Sequence, residues 1–239
     1  TMGESLLISD LHLSGALPET LVRFREFLEQ RAAGTDALYI LGDLFDTWVG
    51  DDDDNPPAPE VKGWLRALVD SGTPVHIQHG NRDFLIGEQF CDQSGASLLE
   101  EEAVVTLSGR RVLLMHGDTL CTDDIAYQQA RQLLRNPDFI HDFLARTLAE
   151  RAAIADGYRR QSGEATSLLA AEIMDVNADA VAAAMARHGV DCLIHGHTHR
   201  PGRHSLQDGQ AERLVLGEWH PDRAVYASAS PGGLVLAQW

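Results

Sequence analysis

Five short runs of consecutive apolar residues recur along this 239-residue chain, and each predicts a β-strand that is covered on both faces. The runs are 6–8, 37–41, 75–77, 112–115 and 192–194. Between them, helical spacing of apolar residues predicts helices over 18–33, 59–71, 84–94 and 178–188, the last two with Asp83 and Asn177 as N-caps. Because strands alternate with helices, we expect an α/β fold of β-sheets flanked by helices.

Two segments depart from this alternation. Residues 123–175 carry only helical patterns, which predicts a helical cap inserted into a single domain that spans 1–239. After Pro201, apolar runs at 214–216, 225–227 and 234–236 are separated by turn residues. These runs predict an antiparallel ending to the sheet.

Composition narrows the class of protein. The chain is 44% hydrophobic and 23% charged, which is typical of a globular protein. A formal net charge of −17 disfavours a nucleic-acid partner. The three cysteines show no paired spacing, and the first residues lack a basic start and an apolar signal core. We therefore expect a cytoplasmic location.

Residues suited to bind metals follow each of the five strand runs. They are Asp10 and His12, Asp43, Asn81, His116, and His195 with His197. Any one of these motifs could be a surface loop, but ligands in α/β proteins gather beyond the carboxyl ends of strands. The joint arrangement predicts one metal site of nitrogen and oxygen ligands, a set that suits manganese, iron or zinc.

The ordered motifs Asp-x-His (10–12), Gly-Asp (42–43), Gly-Asn-Arg-Asp (80–83), His-Gly-Asp (116–118) and Gly-His-Thr-His (196–199) resemble those of the calcineurin-like metallophosphoesterases. Longer strings at 41–52, 80–87, 115–124 and 194–201 are similar to one group in that family, the UDP-2,3-diacylglucosamine diphosphatases of lipid A biosynthesis. The resemblance implies a layered metallophosphoesterase fold. It also implies hydrolysis of UDP-2,3-diacylglucosamine to UMP and 2,3-diacylglucosamine 1-phosphate (lipid X).

The same resemblance assigns roles to the ligand residues. Two divalent ions, manganese by the family pattern, would be held by Asp10, His12, Asp43 and His197, and by Asp43, Asn81, His116 and His195, with Asp43 bridging. The implied catalytic residues are Asn81, Arg82, His116 and His195. The implied substrate contacts are Asn81, Arg82, Asp124, Ser162, Thr166 and His195.

Arg82 is informative about the class of substrate. Many phosphatases of the wider family carry His at this position, as Gly-Asn-His-Asp. An alkoxide leaving group benefits from a general acid, whereas a phosphate leaving group is stabilised by a permanent charge. Arg82 therefore favours a diphosphate, the alternative being a surface arginine paired with Asp83. Leu169 lies where related enzymes usually carry a basic residue, for which Arg159 or Arg160 could compensate.

Several polar residues are expected to support the site. We expect Asp46 and Asp118 to orient ligand loops or histidines, with solvent-facing positions as the alternative. His199 is interpreted as supporting the ligands rather than binding metal. The acidic run 51–54 is interpreted as a solvated loop.

Alternatives remain for the function. The cap helices could pack only on one another, or they could form an apolar chamber for acyl chains. The expected partners are an acylated UDP-sugar lipid and the cytoplasmic surface of the inner membrane, to which the protein would bind peripherally, with no protein partner. The enzyme alternative is a dinuclear phosphoesterase for a soluble nucleotide or a phosphoprotein. A metal-free scaffold is a third class, disfavoured because all seven predicted ligands are present.

Overall fold

The computed structural model describes residues 3–168 and 175–239, and for residues 161–168 it describes the backbone alone. The strands are β1 (Ser5–Ile8), β2 (Ala37–Leu41), β3 (Val75–Gln78), β4 (Ser97–Leu98), β5 (Ala103–Leu107), β6 (Arg110–Met115), β7 (Cys192–His195), β8 (Gly202–Leu206), β9 (Ala211–Val215), β10 (Val225–Ser230) and β11 (Gly233–Gln238). The helices are α1 (Pro18–Phe27), which continues as a π-helical turn over Leu28–Ala32, α2 (Ala58–Asp70), α3 (Glu88–Ser94), α4 (Ile125–Leu134), α5 (Pro137–Leu144), α6 (Leu148–Leu168) and α7 (Ala178–His188).

The strands form two sheets. The first has the order β11-β10-β1-β2-β3-β4, in which β1 to β4 are parallel and β10 is antiparallel to both β1 and β11. The second has the order β5-β6-β7-β9-β8, with β6, β7 and β9 parallel and an antiparallel strand at each edge. Parallel strands end at the same edge of a sheet, so the loops that carry the predicted ligands converge.

The two sheets pack face to face between layers of helices. On β1, Leu6 and Ile8 belong to the core formed with α1, α2 and α3, whereas Leu7 belongs to the core between the sheets. A third cluster packs α7 against the outer face of the second sheet. All five predicted runs are buried except for the half-buried His76, because successive side chains in a strand point to opposite covered faces. The layered α/β fold is confirmed.

Three details differ from the predicted elements. The helix predicted from residue 84 begins at Glu88, because the Asp83 carboxylate accepts backbone N–H groups of Gly80 and of the loop after β2 instead of capping the helix. The strand predicted at 214–216 is β9, which lies in the second sheet, parallel to β7 and antiparallel to β8, whereas the other two predicted runs form the antiparallel pair β10 and β11 of the first sheet, as expected. Edge strand β8 carries mostly exposed side chains and therefore has no apolar run. Asn177 does cap α7, as predicted.

Helices α4, α5 and α6 lie within the segment 123–175 that was predicted to form a cap, and are called the cap helices below. Residues 169–174, including Leu169, lie outside the described residues. The buried guanidinium of Arg151 on α6 fastens the cap helices to the loop after β2, where it donates to the Val49 carbonyl oxygen and pairs with Asp52. No helix in the described part of the chain is long and apolar enough to span a bilayer.

Candidate metal centre and adjoining cavity

The loops that follow five strands bring a cluster of nitrogen and oxygen ligands together. Its members are Asp10, His12, Asp43, Asn81, His116, His197 and His199. The cluster has two halves that share Asp10. In the first half, ligand atoms of Asp10, His12 and His199 all lie within 4.8 Å of one another. In the second half, the same holds for Asp10, Asp43 and His116. Asn81 Oδ1 lies 3.0 Å from both His116 Nε2 and His197 Nδ1, which places His197 beside the second half.

The backbone at this cluster is unusual. Five of its members have positive φ angles between 48° and 67°, a conformation that costs free energy for residues other than glycine. They are Asp10, His12, Asp43, His197 and His199. Such residues turn sharply out of their strands. The surrounding structure therefore compensates an unfavourable backbone conformation that directs these side chains to one point.

The loop after β2 is held by a buried carboxylate. Asp83 accepts hydrogen bonds from the N–H groups of Asp43, Leu44 and Gly80 at 3.2, 2.7 and 2.9 Å. A Cβ at Gly80 would collide with the Asp43 side chain, so glycine is required for this close approach. Asp43 is thereby fixed between the two halves of the cluster, 3.9 Å from His12 Nδ1 and 3.8 Å from His116 Nε2.

Burial and neighbouring carboxylates together set the protonation of the cluster. The carboxylates raise the pKa of His116 to about 9 and that of His199 to about 10, although burial opposes both shifts. Burial and the neighbouring carboxylates of Asp83 and Asp10 raise the pKa of Asp43 to about 7, although His116 opposes this. Burial lowers the pKa of His12 and of His197, each to about 4. Both imidazoles are therefore neutral at pH 7, which is the form that binds metal ions.

The structure contradicts the prediction for His195. This side chain is fully buried at the end of β7, where Nδ1 contacts the Gly196 carbonyl oxygen at 2.8 Å and Nε2 lies 3.0 Å from Arg213 Nη1. Both ring nitrogens are used, and burial lowers the pKa of His195 to about 3. We therefore replace the predicted pair His195 and His197 by His197 and His199, and remove His195 from the catalytic and substrate-binding residues.

Glu218 supports the centre although no motif marked it. One carboxylate oxygen lies 2.9 Å from His199 Nδ1, and the other lies 3.0 Å from His220 Nε2. The opposite ring nitrogen of His199, Nε2, lies 3.3 Å from Asp10 Oδ1. A carboxylate on the far nitrogen of a histidine is a common support of metal ligands. No spacing signal pointed to Glu218, because it lies in a loop beyond β9.

The donor set fits divalent metal ions. Asp10 Oδ1 and His12 Nδ1 are buried without a hydrogen-bond partner, although each is aimed into the cluster. Leaving buried polar atoms unpaired is costly, and an ion between them would remove that cost. Carboxylate, amide and imidazole ligands without thiolate match manganese, iron or zinc. The residues present therefore fit two ions, one on each side of Asp43.

The two supporting aspartates differ in what they contact. Asp118 accepts hydrogen bonds from Tyr127 Oη at 2.6 Å and from Arg131 Nε at 2.7 Å, both on α4, so it links the metal loops to the cap helices. Asp46 pairs with Arg82 at 3.0 Å and with Arg159 on α6. Arg82 thus pairs with Asp46 rather than with Asp83. Arg160 Nε donates to the Asp156 carbonyl oxygen of its own helix at 3.3 Å.

The acidic run 51–54 is not a uniformly solvated loop. Asp51 accepts the N–H groups of Gly87 and Phe90 at the start of α3, and Asp52 pairs with Arg151. Asp53 caps its own turn by accepting from Asn55, and Asp54 lies 3.0 Å from the Nζ of Lys62, a lysine on α2. The run ties the loop after β2 to three helices, which corrects the predicted role.

A cavity of about 770 Å³ opens between the metal cluster and the cap helices. Its polar end is lined by Asp46, Asn81, Arg82, Tyr127, Arg131, Arg135 and Arg159. Its apolar part is lined by Trp48, Phe84, Leu85, Leu134, Phe139, Ile140, Phe143, Ile154 and Ala155. Asn81 and Arg82 therefore connect the cluster to a chamber that is mainly apolar.

The remaining predicted substrate contacts lie in the cap helices. The Asp124 carboxylate caps α4 by accepting the N–H of Tyr127 at 3.0 Å. Ser162 and Thr166 belong to α6, but their side chains lie outside the described residues.

Comparison with known proteins agrees with this arrangement. Residues 5–201 match the family described as calcineurin-like phosphoesterase. The chain is 48% identical over 237 residues to the UDP-2,3-diacylglucosamine hydrolase of Cellvibrio japonicus, covering 98% of both chains. It is 51% identical over 220 residues to the Escherichia coli enzyme of the same name, covering 91% of this chain and 92% of that one. The chain therefore belongs to the calcineurin-like phosphoesterase family.

Proposed function

We propose that this chain hydrolyses the diphosphate bond of UDP-2,3-diacylglucosamine, a reaction of lipid A biosynthesis. The observation that carries the proposal is the cavity in which Asn81 and Arg82, next to the ligand cluster, continue into an apolar chamber of the cap helices. Such a chamber matches a substrate that joins a diphosphate to acyl chains. The names of the half-identical relatives support the same substrate.

The reaction is a displacement at phosphorus. Water oxygen bonds to the phosphorus on the UMP side, and the bond from that phosphorus to the bridging oxygen breaks. One proton of the water is released to solvent, and the electron pair of the broken bond leaves with the sugar phosphate, giving UMP and 2,3-diacylglucosamine 1-phosphate. Two divalent ions, most simply manganese, would activate the water and neutralise phosphoryl charge when bound.

The chain's own residues hold and orient the reacting groups. Asp10, His12, Asp43 and His199 would hold one ion, and Asp43, Asn81, His116 and His197 the other. Arg82, placed by the loop after β3, stabilises the charge that develops on the leaving phosphate, for which no proton donor is required. Phe139, Phe143 and Ile154 exclude water and bind acyl chains.

The substrate's acyl chains also indicate the cellular location of the reaction. A diacylated lipid resides in a membrane, so the protein would act at the cytoplasmic surface of the inner membrane as a peripheral protein. Residues 125–168, from the start of α4 to the end of α6, carry six arginines and five carboxylates, in contrast to the net −17 of the whole chain. Exposed Ile125, Leu133 and Leu144 add apolar surface to the same helices and their ends.

The test compares two substrates on the manganese-loaded protein: diacylated UDP-glucosamine in detergent and a water-soluble UDP-sugar. We expect UMP and the acylated sugar 1-phosphate from the lipid, with a far lower kcat/KM for the soluble substrate. Equal or faster turnover of the soluble substrate would favour the nucleotide phosphoesterase alternative. Metal analysis that found no bound ion after manganese loading would instead favour a scaffold.

A further inference from the structure

Two arginines at the polar end of the cavity share one carboxylate. Arg82 Nη1 donates to Asp46 Oδ1 at 3.0 Å, and Arg159 Nη2 donates to Asp46 Oδ2. Arg159 is further placed by Thr47, whose Oγ1 accepts from Nη1 at 2.8 Å. The three charged side chains come from the loop after β2, the loop after β3 and helix α6, and all of them line the cavity.

An oxyanion held between two guanidinium groups is a common way in which proteins recognise phosphate. Here the oxyanion is the protein's own carboxylate, with one oxygen turned to each arginine. The three groups together carry one net positive charge, so an incoming anion is still attracted. Side-chain exposures of 37% for Arg82 and 42% for Arg159 leave both arginines within reach of a ligand.

The second ion pair between α6 and the same loop is built differently. Arg151 is only 3% exposed and donates to the Val49 carbonyl oxygen as well as to Asp52. That pair is buried and fixes the helix. The pair at Asp46 faces the cavity instead, where its partners can be exchanged without detaching α6.

We propose that Asp46 is a specificity-determining residue that occupies the anion position between Arg82 and Arg159 until substrate phosphate displaces it. The nature of the displacing group, a diphosphate, rests on the proposed function. The carboxylate keeps both arginines in place in the free enzyme and competes with any oxyanion that enters. Small phosphates must displace it with little other binding energy. An acylated substrate also gains binding energy from its chains, so competition selects for the lipid.

The test uses inorganic sulfate as the probe, at constant ionic strength, on the manganese-loaded protein. Its dissociation constant is measured from intrinsic tryptophan fluorescence, to which Trp48 in the cavity contributes, and from the rise in unfolding temperature with sulfate concentration. Asp46→Asn removes the competing charge and should bind sulfate roughly three- to tenfold more tightly, the size expected for exposed ion pairs. Asp46→Ser provides a second variant. Asp53→Asn removes a carboxylate of the same loop and should leave sulfate binding unchanged.

The two arginines provide the decisive control. In a background with Arg82→Ala and Arg159→Ala, the gain from Asp46→Asn should disappear. Asp46→Asn should also raise kcat/KM for a soluble UDP-sugar relative to the lipid. Unchanged or weaker sulfate binding in both Asp46 variants would overturn the proposal, as would a gain that persists without the arginines. Sulfate binding requires no hydrolysis, so a failure of the lipid assay alone would reject the proposed function and leave the assignment of Asp46 intact.

Discussion

Glu218 lies 2.9 Å from the Nδ1 atom of His199, on the side of the imidazole ring that faces away from Asp10. A carboxylate in this position fixes the tautomer in which Nδ1 carries the proton and Nε2 presents its lone pair to a metal ion. It also makes the imidazole a stronger ligand. The candidate metal centre thus includes a supporting carboxylate about twenty positions beyond the last histidine motif.

The first prediction follows from this contact. Glu218→Gln should weaken manganese binding at the site of Asp10, His12 and His199 by about 10- to 100-fold, because the support for His199 loses its charge. Titration calorimetry should resolve one weakened site and one site of nearly normal affinity. Glu29→Gln, on the exposed face of the first helix, is the matched control. Equal manganese affinities in the wild type and Glu218→Gln would show that Glu218 does not support the ligand.

Asp43 should be required by both ions, because it lies between the two halves of the cluster. Asp43→Ala should lower metal stoichiometry and turnover together, whereas the exposed control Asp70→Ala should change neither. Metal analysis after gel filtration provides the measurement. A variant that retains two ions and near-normal turnover would refute the shared-ligand arrangement.

The pH dependence of metal binding follows from the same residue. In the metal-free protein, burial and nearby carboxylates raise the pKa of Asp43 to about 7. Manganese binding requires a deprotonated Asp43 carboxylate and neutral His116 and His199, whose pKa values nearby carboxylates raise to about 9 and about 10 although burial opposes this. Its affinity should therefore fall as pH decreases through the range below about 10, and binding should release protons. Calorimetry at about pH 6 and about pH 8, in buffers of different ionisation enthalpy, measures both effects. Affinity that stays constant between these pH values, without proton release, would contradict the prediction.

Arg82 should act on turnover rather than on metal content. Arg82→Ala should lower kcat by roughly 100-fold or more, as for the loss of other groups that stabilise developing negative charge. Arg82→Lys should recover only part of this, because a single ammonium cannot replace the bidentate guanidinium. Both ions should remain bound in each variant, and Arg25→Ala on the protein surface is the control. Full activity of the alanine variant would limit Arg82 to its ion pair with Asp46.

The apolar chamber should make the reaction sensitive to acyl length. In fixed detergent, kcat/KM should increase along a series of acylated UDP-sugars, by up to ~0.8 kcal/mol per buried methylene, until the chamber is full. Ile154→Thr should reduce this dependence, whereas Val22→Thr at an exposed position should not. A flat series in the wild type would mean that the cap helices serve only to pack on one another.

The fold was largely predictable because its central strands are buried on both faces. Runs such as 37–41 carry apolar residues at every position. Such a run can be recognised as a buried strand without knowing which elements pack against it. Edge strand β8 carries polar, exposed residues and offers no such signal. The parallel placement of β9 was equally hidden, because pairing between distant strands depends on the whole topology.

The site was predictable in composition but not in the register of its histidines. His195, His197 and His199 are equivalent as residue types, and only the structure shows that β7 includes His195. The ring of His195 therefore contacts Arg213 on the neighbouring strand. Positive φ angles instead turn His197 and His199 into the cluster. The roles of Asp46 and Glu218 likewise depend on contacts between segments far apart in sequence.

Two ions and Arg82 should together direct water to the UMP-side phosphorus of an acylated UDP-sugar. The most direct measurement is hydrolysis of UDP-2,3-diacylglucosamine in oxygen-18 water by the manganese-loaded protein, with both products analysed by mass spectrometry. We expect one oxygen-18 atom in UMP, none in 2,3-diacylglucosamine 1-phosphate, and no turnover after chelation. Label in the sugar phosphate, or turnover that persists without metal, would contradict it.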